Sequence, residues 1–149
     1  MKVFLDIDGV MVHGNPYKKI EIEEDGFYKF NKSAVDAINS INNVNIEIIL
    51  STSHRFRFNI QEWKDIFQKR HIRFKEISIM DLKLDLRLSR KEEIEKWIHD
   101  NKIDLNDLII IDDDKSLNGL SEDLKKRLVL TDSYIGLNNA VELKRILRL

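Results

Sequence analysis

Short, uninterrupted apolar runs recur along the chain and alternate with segments of helical periodicity. Continuous apolar runs of this length are typical of strands buried on both faces of a parallel sheet. Strands that alternate with helices predict an α/β domain with a parallel sheet and right-handed crossovers. The predicted strands are Val3–Ile7, Ile46–Leu50, Ile77–Met80, Leu108–Ile111 and the weaker Leu128–Leu130.

The helical segments lie between these runs. Ser89 and Glu92 form a capping box ahead of a helix whose apolar face includes Trp97. Trp63 lies on the apolar face of an earlier helix, so both tryptophans are expected in the core. Asn138 is expected to cap the last helix. The predicted apolar faces are Val35, Ile38 and Ile41; Ile60, Trp63 and Phe67; Ile94, Trp97 and Ile98; and Val141, Leu143 and Leu147.

One segment breaks the alternation of strands and helices. Residues 17–30 read YKKIEIEEDGFYKF, with Asp25-Gly26 near the centre and alternating apolar residues around it. An Asp-Gly pair in this setting is a hairpin signal. We therefore expect a small β-flap directly after the first strand.

The composition is that of an ordinary globular domain. Of the 149 residues, 42% are hydrophobic and 34% are charged, which suits one domain, residues 1–149, with a real core. Lys and Arg number 25 and Asp and Glu 26, so the net charge indicates no class of partner. The absence of cysteine excludes disulfides, thiolate zinc sites and cysteine nucleophiles. No signal peptide or membrane span is recognised, and we expect a cytoplasmic protein with no membrane partner and no obligate protein partner.

Acidic and hydroxyl side chains follow the ends of three predicted strands. Because ligands of open parallel sheets bind beyond the carboxyl ends of the strands, these side chains are expected to converge at one edge. Crowded carboxylates repel one another, and a hard dication with oxygen ligands, commonly Mg²⁺, offsets that repulsion. The residues are Asp6 and Asp8 after the first strand, Ser51, Thr52, Ser53, His54 and Arg55 after the second, and Asp112, Asp113, Asp114 and Lys115 after the fourth.

A single aspartate at a strand end is usually a helix cap or a turn residue. Asp6 differs because it stands within the strand-like run FLDID, where alternation puts it on the same side as Asp8 if the strand continues. Two like charges there would be costly without a metal ion. Together with Asp112 and Asp113 they predict a magnesium site, whereas Asp114 fits an exposed turn.

Four segments resemble, in order, the four motifs of the haloacid dehalogenase (HAD) superfamily. Residues 4–10, FLDIDGV, resemble the first, with its D-x-D-G signature, and residues 48–51, IILS, resemble the second, a strand ending in Ser or Thr. Arg90-Lys91 resembles the third, a basic residue before the last core strand. Residues 109–113, IIIDD, resemble the fourth, a strand ending in paired acids. The resemblance implies a three-layer Rossmann-like fold, and the intervals between motifs leave no room for a cap domain.

This resemblance implies a Mg²⁺-dependent phosphatase. Asp6 would be the nucleophile that forms an aspartyl-phosphate, and Asp8 would protonate the leaving oxygen and later deprotonate the attacking water. The metal would be held by the Asp6 carboxylate, the Asp8 backbone carbonyl and Asp113. Asp112 would be a further ligand or a hydrogen-bond acceptor behind the ligands.

The phosphate-binding residues implied by the resemblance are less sharply defined. Ser51 would hydrogen-bond a phosphoryl oxygen, unless Ser51 only caps the following helix and Thr52 takes this role. Arg90 or Lys91 would neutralise the phosphate, although both also fit plain surface charges with partners along their helix. His54 and Arg55, directly after Ser53, fit either a substrate contact or a solvated loop.

The chain is more narrowly similar to capless phosphatase-like domains associated with RNA repair proteins. Those domains read S-S-S-W-R after the second strand and R-G-E-E-I at the third motif, where this chain reads S-T-S-H-R and R-K-E-E-I. His54 thus stands in place of Trp, and Lys91 in place of Gly. Thr131-Asp132 and Gly136-Leu137-Asn138 resemble the T-D and G-L-T segments of their tails.

The expected substrate is a phosphorylated small molecule or a phosphorylated nucleic-acid end. An open site without a cap suits a bulky or polymeric substrate, or a small one held by loops. From Arg55 to Lys75 seven basic residues outnumber two acidic ones. This stretch fits either a guide for a polyanion or a solvated amphipathic helix. The basic residues are Arg55, Arg57, Lys64, Lys69, Arg70, Arg73 and Lys75.

Two alternatives belong to other functional classes. A phosphoryl-accepting regulatory domain of receiver type also clusters acids around Mg²⁺. It needs an aspartate after the third strand, where Met80-Asp81 is the only candidate, and a later lysine that this chain does not place. A catalytically silent binding domain on a related fold is disfavoured by intact Asp6, Asp8 and Asp113.

Overall fold

The computed structural model describes residues 1–41, 45–82 and 87–149. Within this part of the chain five parallel strands form one sheet, flanked by five α-helices. The strands are β1 (Lys2–Leu5), β2 (Glu47–Leu50), β3 (Glu76–Ile79), β4 (Leu108–Asp112) and β5 (Leu128–Leu130). The helices are α1 (Lys32–Asn39), α2 (Ile60–Lys69), α3 (Arg90–Asp100), α4 (Glu122–Lys125) and α5 (Val141–Leu147). The strand order is β3-β2-β1-β4-β5, so the predicted α/β fold with a parallel sheet is confirmed.

The central strands are buried on both faces, as their continuous apolar runs predict. Val3 and Leu5 of β1 pack into one core with α1, α2 and α5. Phe4, which points to the opposite face, packs into a second core with α3 and α4. The period of two along each strand therefore divides the apolar residues between two helical layers, and the result is the three-layer Rossmann-like arrangement.

The first strand is shorter than its apolar run. β1 ends at Leu5, because the carbonyl of Ile7 accepts hydrogen bonds from the amides of Val10, Met11 and Val12 at 2.9–3.3 Å. The segment after Leu5 is thus a tight turn instead of further strand. Because the strand does not continue, the alternation expected for Asp6 and Asp8 does not apply.

The flap predicted after the first strand is present. Ile22 and Tyr28 form an antiparallel pair, and the amide of Gly26 donates to the carbonyl of Glu23 at 2.9 Å to close the turn. Arg70, the residue directly after α2, ties this flap to the body of the protein. Its guanidinium donates to both carboxylate oxygens of Asp25 at 2.6 and 2.8 Å, and its Nε donates to the Tyr28 carbonyl at 2.7 Å.

The helix ends match the predictions in part. Ser89 and Glu92 form the expected capping box of α3. The prediction that Asn138 caps the last helix is wrong, because α5 begins at Val141 and its first amide donates to Asn139 Oδ1 at 3.0 Å. Trp63 is fully buried, whereas Trp97 is only half-buried at the edge of the second core.

In the part of the chain that the structure describes, the intervals between the strands contain no cap domain. Between β1 and β2 the described residues hold the flap and α1, and between β2 and α3 they hold a 3-10 turn, α2 and β3. No helix in the described ranges has both the length and the apolar character needed to cross a bilayer.

Candidate active site

Three carboxylates from two neighbouring strands meet at the carboxyl edge of the sheet. Asp6 follows β1, Asp112 is the last residue of β4, and Asp113 comes next. β1 and β4 are paired directly, with Leu5 opposite Ile111, so their ends lie side by side. One oxygen from each carboxylate lies within 4.8 Å of the other two.

Arg90 is the cation of this cluster. It is the first residue of α3, and its Nη1 lies 2.7 Å from Asp112 Oδ2 and 3.5 Å from Asp6 Oδ1. Lys91, the other sequence candidate, pairs with Glu95 at 3.0 Å along the helix, and its side chain packs on Gly119. Of these two residues the structure brings Arg90, and not Lys91, to the carboxylates.

Burial dominates the electrostatics of the cluster. It raises the pKa of Asp6 well above its usual value, and the carboxylate of Asp112 raises it further, against the lowering effect of Arg90. Burial likewise raises the pKa of Asp112, which is completely buried, while Arg90 opposes the increase. The guanidinium of Arg90 contacts Asp6 and Asp112 of the three carboxylates, so the negative charge of the site is only partly balanced.

The two hydroxyl residues after β2 have different surroundings. Ser51 is buried, and its Oγ lies 3.5 Å from Asp112 Oδ2, so the structure brings it to the carboxylate cluster. Thr52 Oγ1 instead accepts a hydrogen bond from the amide of His54 at 3.2 Å and caps the 3-10 turn Ser53–Phe56. The capping role considered for Ser51 thus belongs to Thr52.

Asp8 lies apart from the three clustered carboxylates. Its side chain is 43% exposed, and its Oδ2 lies 2.7 Å from Nε2 of His54, whose side chain is 20% exposed. The edges of Phe27 and Tyr28, both from the flap, pack against the His54 ring with centroids 5.8 and 5.5 Å away. His54 is therefore mostly buried, its ring is held by these contacts, and it touches the second aspartate of the first motif.

Arg55 is a buried structural residue that the sequence did not identify as such. Only 2% of its side chain is exposed. It donates to the carbonyls of Met80 at 2.8 Å and Thr52 at 3.1 Å, and it also donates to the carboxylate of Glu93. Arg55 thereby joins the end of β3, the 3-10 turn and α3, the helix that carries Arg90.

Internal contacts occupy much of the basic stretch from Arg55 to Lys75. Arg55 and Arg70 are buried in the networks described above. Lys64 pairs with Glu76 at 2.8 Å, and the guanidinium of Arg57 lies over the Phe27 ring at 5.6 Å. Most of the basic side chains in this stretch thus make contacts within the protein that stabilise the fold.

The segment after β5 fixes the loop that carries Asp8. Thr131 Oγ1 donates to the Gly9 carbonyl at 2.6 Å, and the Leu137 amide donates to the Val10 carbonyl at 2.8 Å. Gly136 has a φ of +80°, and a Cβ there would lie 2.7 Å from the Val10 carbonyl oxygen. The T-D and G-L-N segments of the sequence are therefore the parts that contact this loop.

A groove of about 460 Å³ adjoins Asp8 at the protein surface. Its walls come from the turn after the first motif and from the flap, and no cap formed by the described residues covers it. The residues around Asp8 are His13, Gly14, Asn15, Pro16, Lys18, Ile20 and Tyr28. The carboxylate of Asp8 is thus accessible from the side on which a bulky group could lie.

The chemistry of the carboxylate cluster fits Mg²⁺. All three ligand atoms are hard carboxylate oxygens, two of the residues are buried, and the repulsion that raises the pKa of Asp6 would be relieved by a dication. Both oxygens of Asp112 already accept hydrogen bonds, one from Arg90 and one from the Asp114 amide at 3.0 Å. Asp6 and Asp113 are therefore the better carboxylate ligands of the three.

Comparisons with known proteins identify the family. A search of the curated proteins found no match. One family model, described as the HAD domain in Swiss Army Knife RNA repair proteins, matches residues 2–141 and so covers all four motifs, the flap and the segment after β5. The chain, with its five-stranded parallel sheet and its aspartates at the ends of β1 and β4, belongs to this family of HAD domains.

Proposed function

We propose that the protein is a Mg²⁺-dependent phosphomonoester hydrolase that forms an aspartyl-phosphate on Asp6. The observation that carries the proposal is the cluster of Asp6, Asp112 and Asp113, with Arg90 in contact with Asp6 and Asp112. A buried carboxylate beside a guanidinium and a dication site is suited to approach a phosphate, whose negative charge would otherwise repel it.

In the first step a carboxylate oxygen of Asp6 attacks phosphorus, and the bond from phosphorus to the leaving oxygen breaks. Asp8 gives its proton to that oxygen, so the alcohol leaves in neutral form. The groove beside Asp8 provides the place for this alcohol. Asp6 and Asp8 thus divide nucleophilic and acid–base chemistry between them.

In the second step Asp8, now ionised, accepts a proton from water as the water oxygen attacks phosphorus. The bond between phosphorus and the Asp6 carboxylate breaks, inorganic phosphate leaves, and both aspartates return to their starting states. The same residue serves as acid and then as base, so no further titratable group is required.

Three side chains bind and orient the phosphate in this proposal. Arg90 balances the charge of the phosphoryl group and of Asp6, and Asp112 holds Arg90 in place through the 2.7 Å contact. Ser51 offers a hydroxyl donor to a phosphoryl oxygen. Mg²⁺, held by the carboxylates of Asp6 and Asp113 and, following the family pattern, the Asp8 carbonyl, would stabilise the negative charge of the phosphate.

The intact site argues against a catalytically silent or phosphoryl-accepting domain. A domain that only accepts a phosphoryl group has no need of a second aspartate on a groove next to the nucleophile. Asp8 is accessible and its carboxylate is held by His54. Both features favour turnover over a stable phosphorylated state.

The substrate class that we favour is a phosphorylated nucleic-acid end or nucleotide. Support comes from the family, whose description places these HAD domains in RNA repair proteins, and from the uncovered groove beside Asp8. Tyr28 offers an aromatic face and Lys18 a cation in that groove, which suits a base or sugar together with a second phosphate. The basic stretch from Arg55 to Lys75 adds little, since its side chains are largely engaged.

The proposed activity is tested with p-nitrophenyl phosphate in Mg²⁺ and in excess chelator, with Asp6→Asn as the inactive control. We expect Mg²⁺-dependent release of nitrophenol that Asp6→Asn abolishes. A panel of mononucleotides, sugar phosphates and 3′- or 5′-phosphorylated oligonucleotides then ranks substrates by kcat/KM. Turnover that persists in Asp6→Asn, or no turnover of any ester, would contradict the proposal.

A further inference from the structure

The second aspartate of the first motif is held by a histidine that lies 46 positions away in the sequence. Nε2 of His54 is 2.7 Å from Oδ2 of Asp8, a short hydrogen-bond distance for a nitrogen and a carboxylate oxygen. Asp8 is otherwise half-exposed and sits in a turn, where an unrestrained carboxyl group would sample several rotamers. The contact thus selects one orientation.

His54 is itself immobilised from three sides. Its backbone amide donates to Thr52 Oγ1 at the start of the 3-10 turn Ser53–Phe56. The rings of Phe27 and Tyr28 meet its ring edge-on, at interplanar angles of 83° and 88°. Such perpendicular contacts between rings are favourable and directional. Because the His54 ring is held in one orientation, it can hold the Asp8 carboxylate in one orientation as well.

The orientation matters because the two oxygens of Asp8 are not equivalent. When the imidazole donates its Nε2 hydrogen to Oδ2, that oxygen is occupied and Oδ1 is left to carry a proton. The groove into which Asp8 opens is where a leaving group is expected. One oxygen is then held by His54 while the other is available to the substrate.

We propose that His54 is a positioning residue that holds the Asp8 carboxyl group so that its free oxygen faces the leaving group. This inference rests on the proposed hydrolase function and deepens it. His54 acts through Asp8 and contacts no reacting atom. Its effect should therefore be confined to the proton transfers of Asp8, and in the first step it should grow with the basicity of the leaving oxygen.

The test uses two variants of His54 and two substrates. His54→Leu removes the donor with little change in volume, and His54→Gln restores an amide N–H donor on a chain of similar reach. A nucleoside 5′-monophosphate has a basic alkoxide leaving group that needs a proton, whereas p-nitrophenolate leaves without one. Single-turnover formation of the phospho-enzyme isolates the first step for both substrates.

We expect His54→Leu to slow phospho-enzyme formation from the nucleotide by about 10–100-fold, a part of the ~10²–10⁴-fold that general acid catalysis typically contributes, because Asp8 itself remains. The same variant should change the p-nitrophenyl phosphate rate by less than about threefold and leave KM nearly unchanged. His54→Gln should restore most of the nucleotide rate. Mg²⁺ affinity, measured by calorimetry, should stay the same, because His54 is not a ligand.

His99→Leu is the matched control, since His99 is 91% exposed and lies in the last turn of α3. It should behave as the wild type with both substrates. Equal losses on the two substrates in His54→Leu, no loss, or failure of His54→Gln to restore the rate would overturn the inference.

The wild type separates this inference from the proposed function. If it hydrolyses neither ester, the hydrolase proposal fails, and the inference fails with it. If it cleaves p-nitrophenyl phosphate but none of the alkyl phosphates in the panel, hydrolysis stands and a positioned acid for alkoxide leaving groups does not.

Discussion

The carboxylate of Asp113 lies directly against the backbone of Gly9. A Cβ atom built on Gly9 would fall 2.0 Å from Asp113 Oδ2, far inside any real contact, and Gly9 has a φ of +79° that side chains disfavour. Gly9, the glycine of D-x-D-G, therefore leaves the space in which the carboxylate of Asp113, the last residue of the fourth motif, packs. Two sequence motifs more than a hundred positions apart are in contact here.

Gly9→Ala should disable the metal site while the protein remains folded. The added methyl group must displace Asp113, and displacing a metal ligand or its support typically weakens metal binding by about 10–100-fold. Calorimetric titration with Mg²⁺ measures this directly. An unchanged affinity in a folded Gly9→Ala protein would show that Asp113 is not a ligand.

Gly26→Ala is a matched control for backbone strain. Gly26, in the flap turn, also has a positive φ, +83°, but a Cβ atom added there would meet no heavy atom within 4 Å. Gly26→Ala should therefore share the strain, of the order of 1 kcal/mol, without affecting Mg²⁺ affinity.

Asp6→Asn should stabilise the metal-free protein although it removes the proposed nucleophile. Burial and Asp112 raise the pKa of Asp6, so its charged form opposes folding, and this cost grows as the pH rises through the folded-state pKa. An amide has no such cost, and Arg90 keeps its contact with Asp112. In chelator at pH 8 we expect a higher Tm for Asp6→Asn, by about 2–4 °C per kcal/mol relieved.

The same comparison at about pH 4 provides the internal check. Asp6 of the wild type is then largely protonated, and the difference in Tm should shrink. A difference that is independent of pH, or a lower Tm for Asp6→Asn at pH 8, would mean that the buried charge is already compensated.

Arg90 and Lys91 should differ sharply in their effect on turnover. Arg90 contacts Asp6 and Asp112, whereas Lys91 pairs with Glu95. Arg90→Lys keeps a positive charge but loses the planar guanidinium, and we expect kcat to fall by about 10²-fold, as when one stabilising donor is removed. Lys91→Met should stay within about threefold of the wild type. Steady-state kinetics with p-nitrophenyl phosphate decide the matter, and the reverse ranking would move the third motif to Lys91.

The ion pair of Asp25 and Arg70 should make stability depend on pH in the acid range. The hydrogen bonds from Arg70 lower the pKa of Asp25 to about 2, so its contribution is fully present above about pH 4 and is lost as the pH falls towards 2. We expect Asp25→Asn to cost about 1–2 kcal/mol of unfolding free energy at pH 6. The gap to the wild type should close by about pH 2 in denaturant titrations.

Glu24→Gln is the matched control, because Glu24 is an exposed neighbour in the same turn. Its unfolding free energy should parallel the wild type over the whole pH range. If Asp25→Asn also runs parallel to the wild type, the ion pair does not contribute to stability.

Salt should distinguish a polymeric substrate from a small one. If several phosphates of an oligonucleotide contact the rim of the groove, the apparent affinity for it should fall more steeply with salt than that for a mononucleotide. The measurement is KM for both substrates between about 50 and 200 mM salt. Equal slopes would leave the small-molecule substrate as the better hypothesis.

Much of the fold is predictable because strand burial leaves a direct trace in the sequence. Apolar runs with β-branched residues located all five strands, and the capping box located the start of α3 within a residue. The residue at which β1 ends was harder to predict from the sequence. The Ile7 carbonyl accepts three amides from the following turn, a feature of backbone geometry that a hydrophobic pattern does not encode.

The site residues that follow strand ends were predictable from the sequence. The site contacts that arise when separate elements pack together were not. Asp6, Asp112 and Asp113 converge because β1 and β4 are neighbours, which the motif order implies. The contact of His54 with Asp8 depends on how the flap packs, and Arg55 is buried because three separate elements meet around it. In the sequence both residues look like parts of a polar loop.

The contacts made by residues 131–137 have a consequence for synthesis of the chain. The last of the four motifs ends at Asp113, so all four emerge from the ribosome before residues 131–137. The loop that carries Asp8, however, is held by Thr131 and Leu137. A nascent chain that displays every motif still lacks the segment that closes the first loop. The proposed phosphatase activity should therefore arise only after this segment is made, and a chain stopped after β4 should be inactive although it contains every residue assigned to the chemistry.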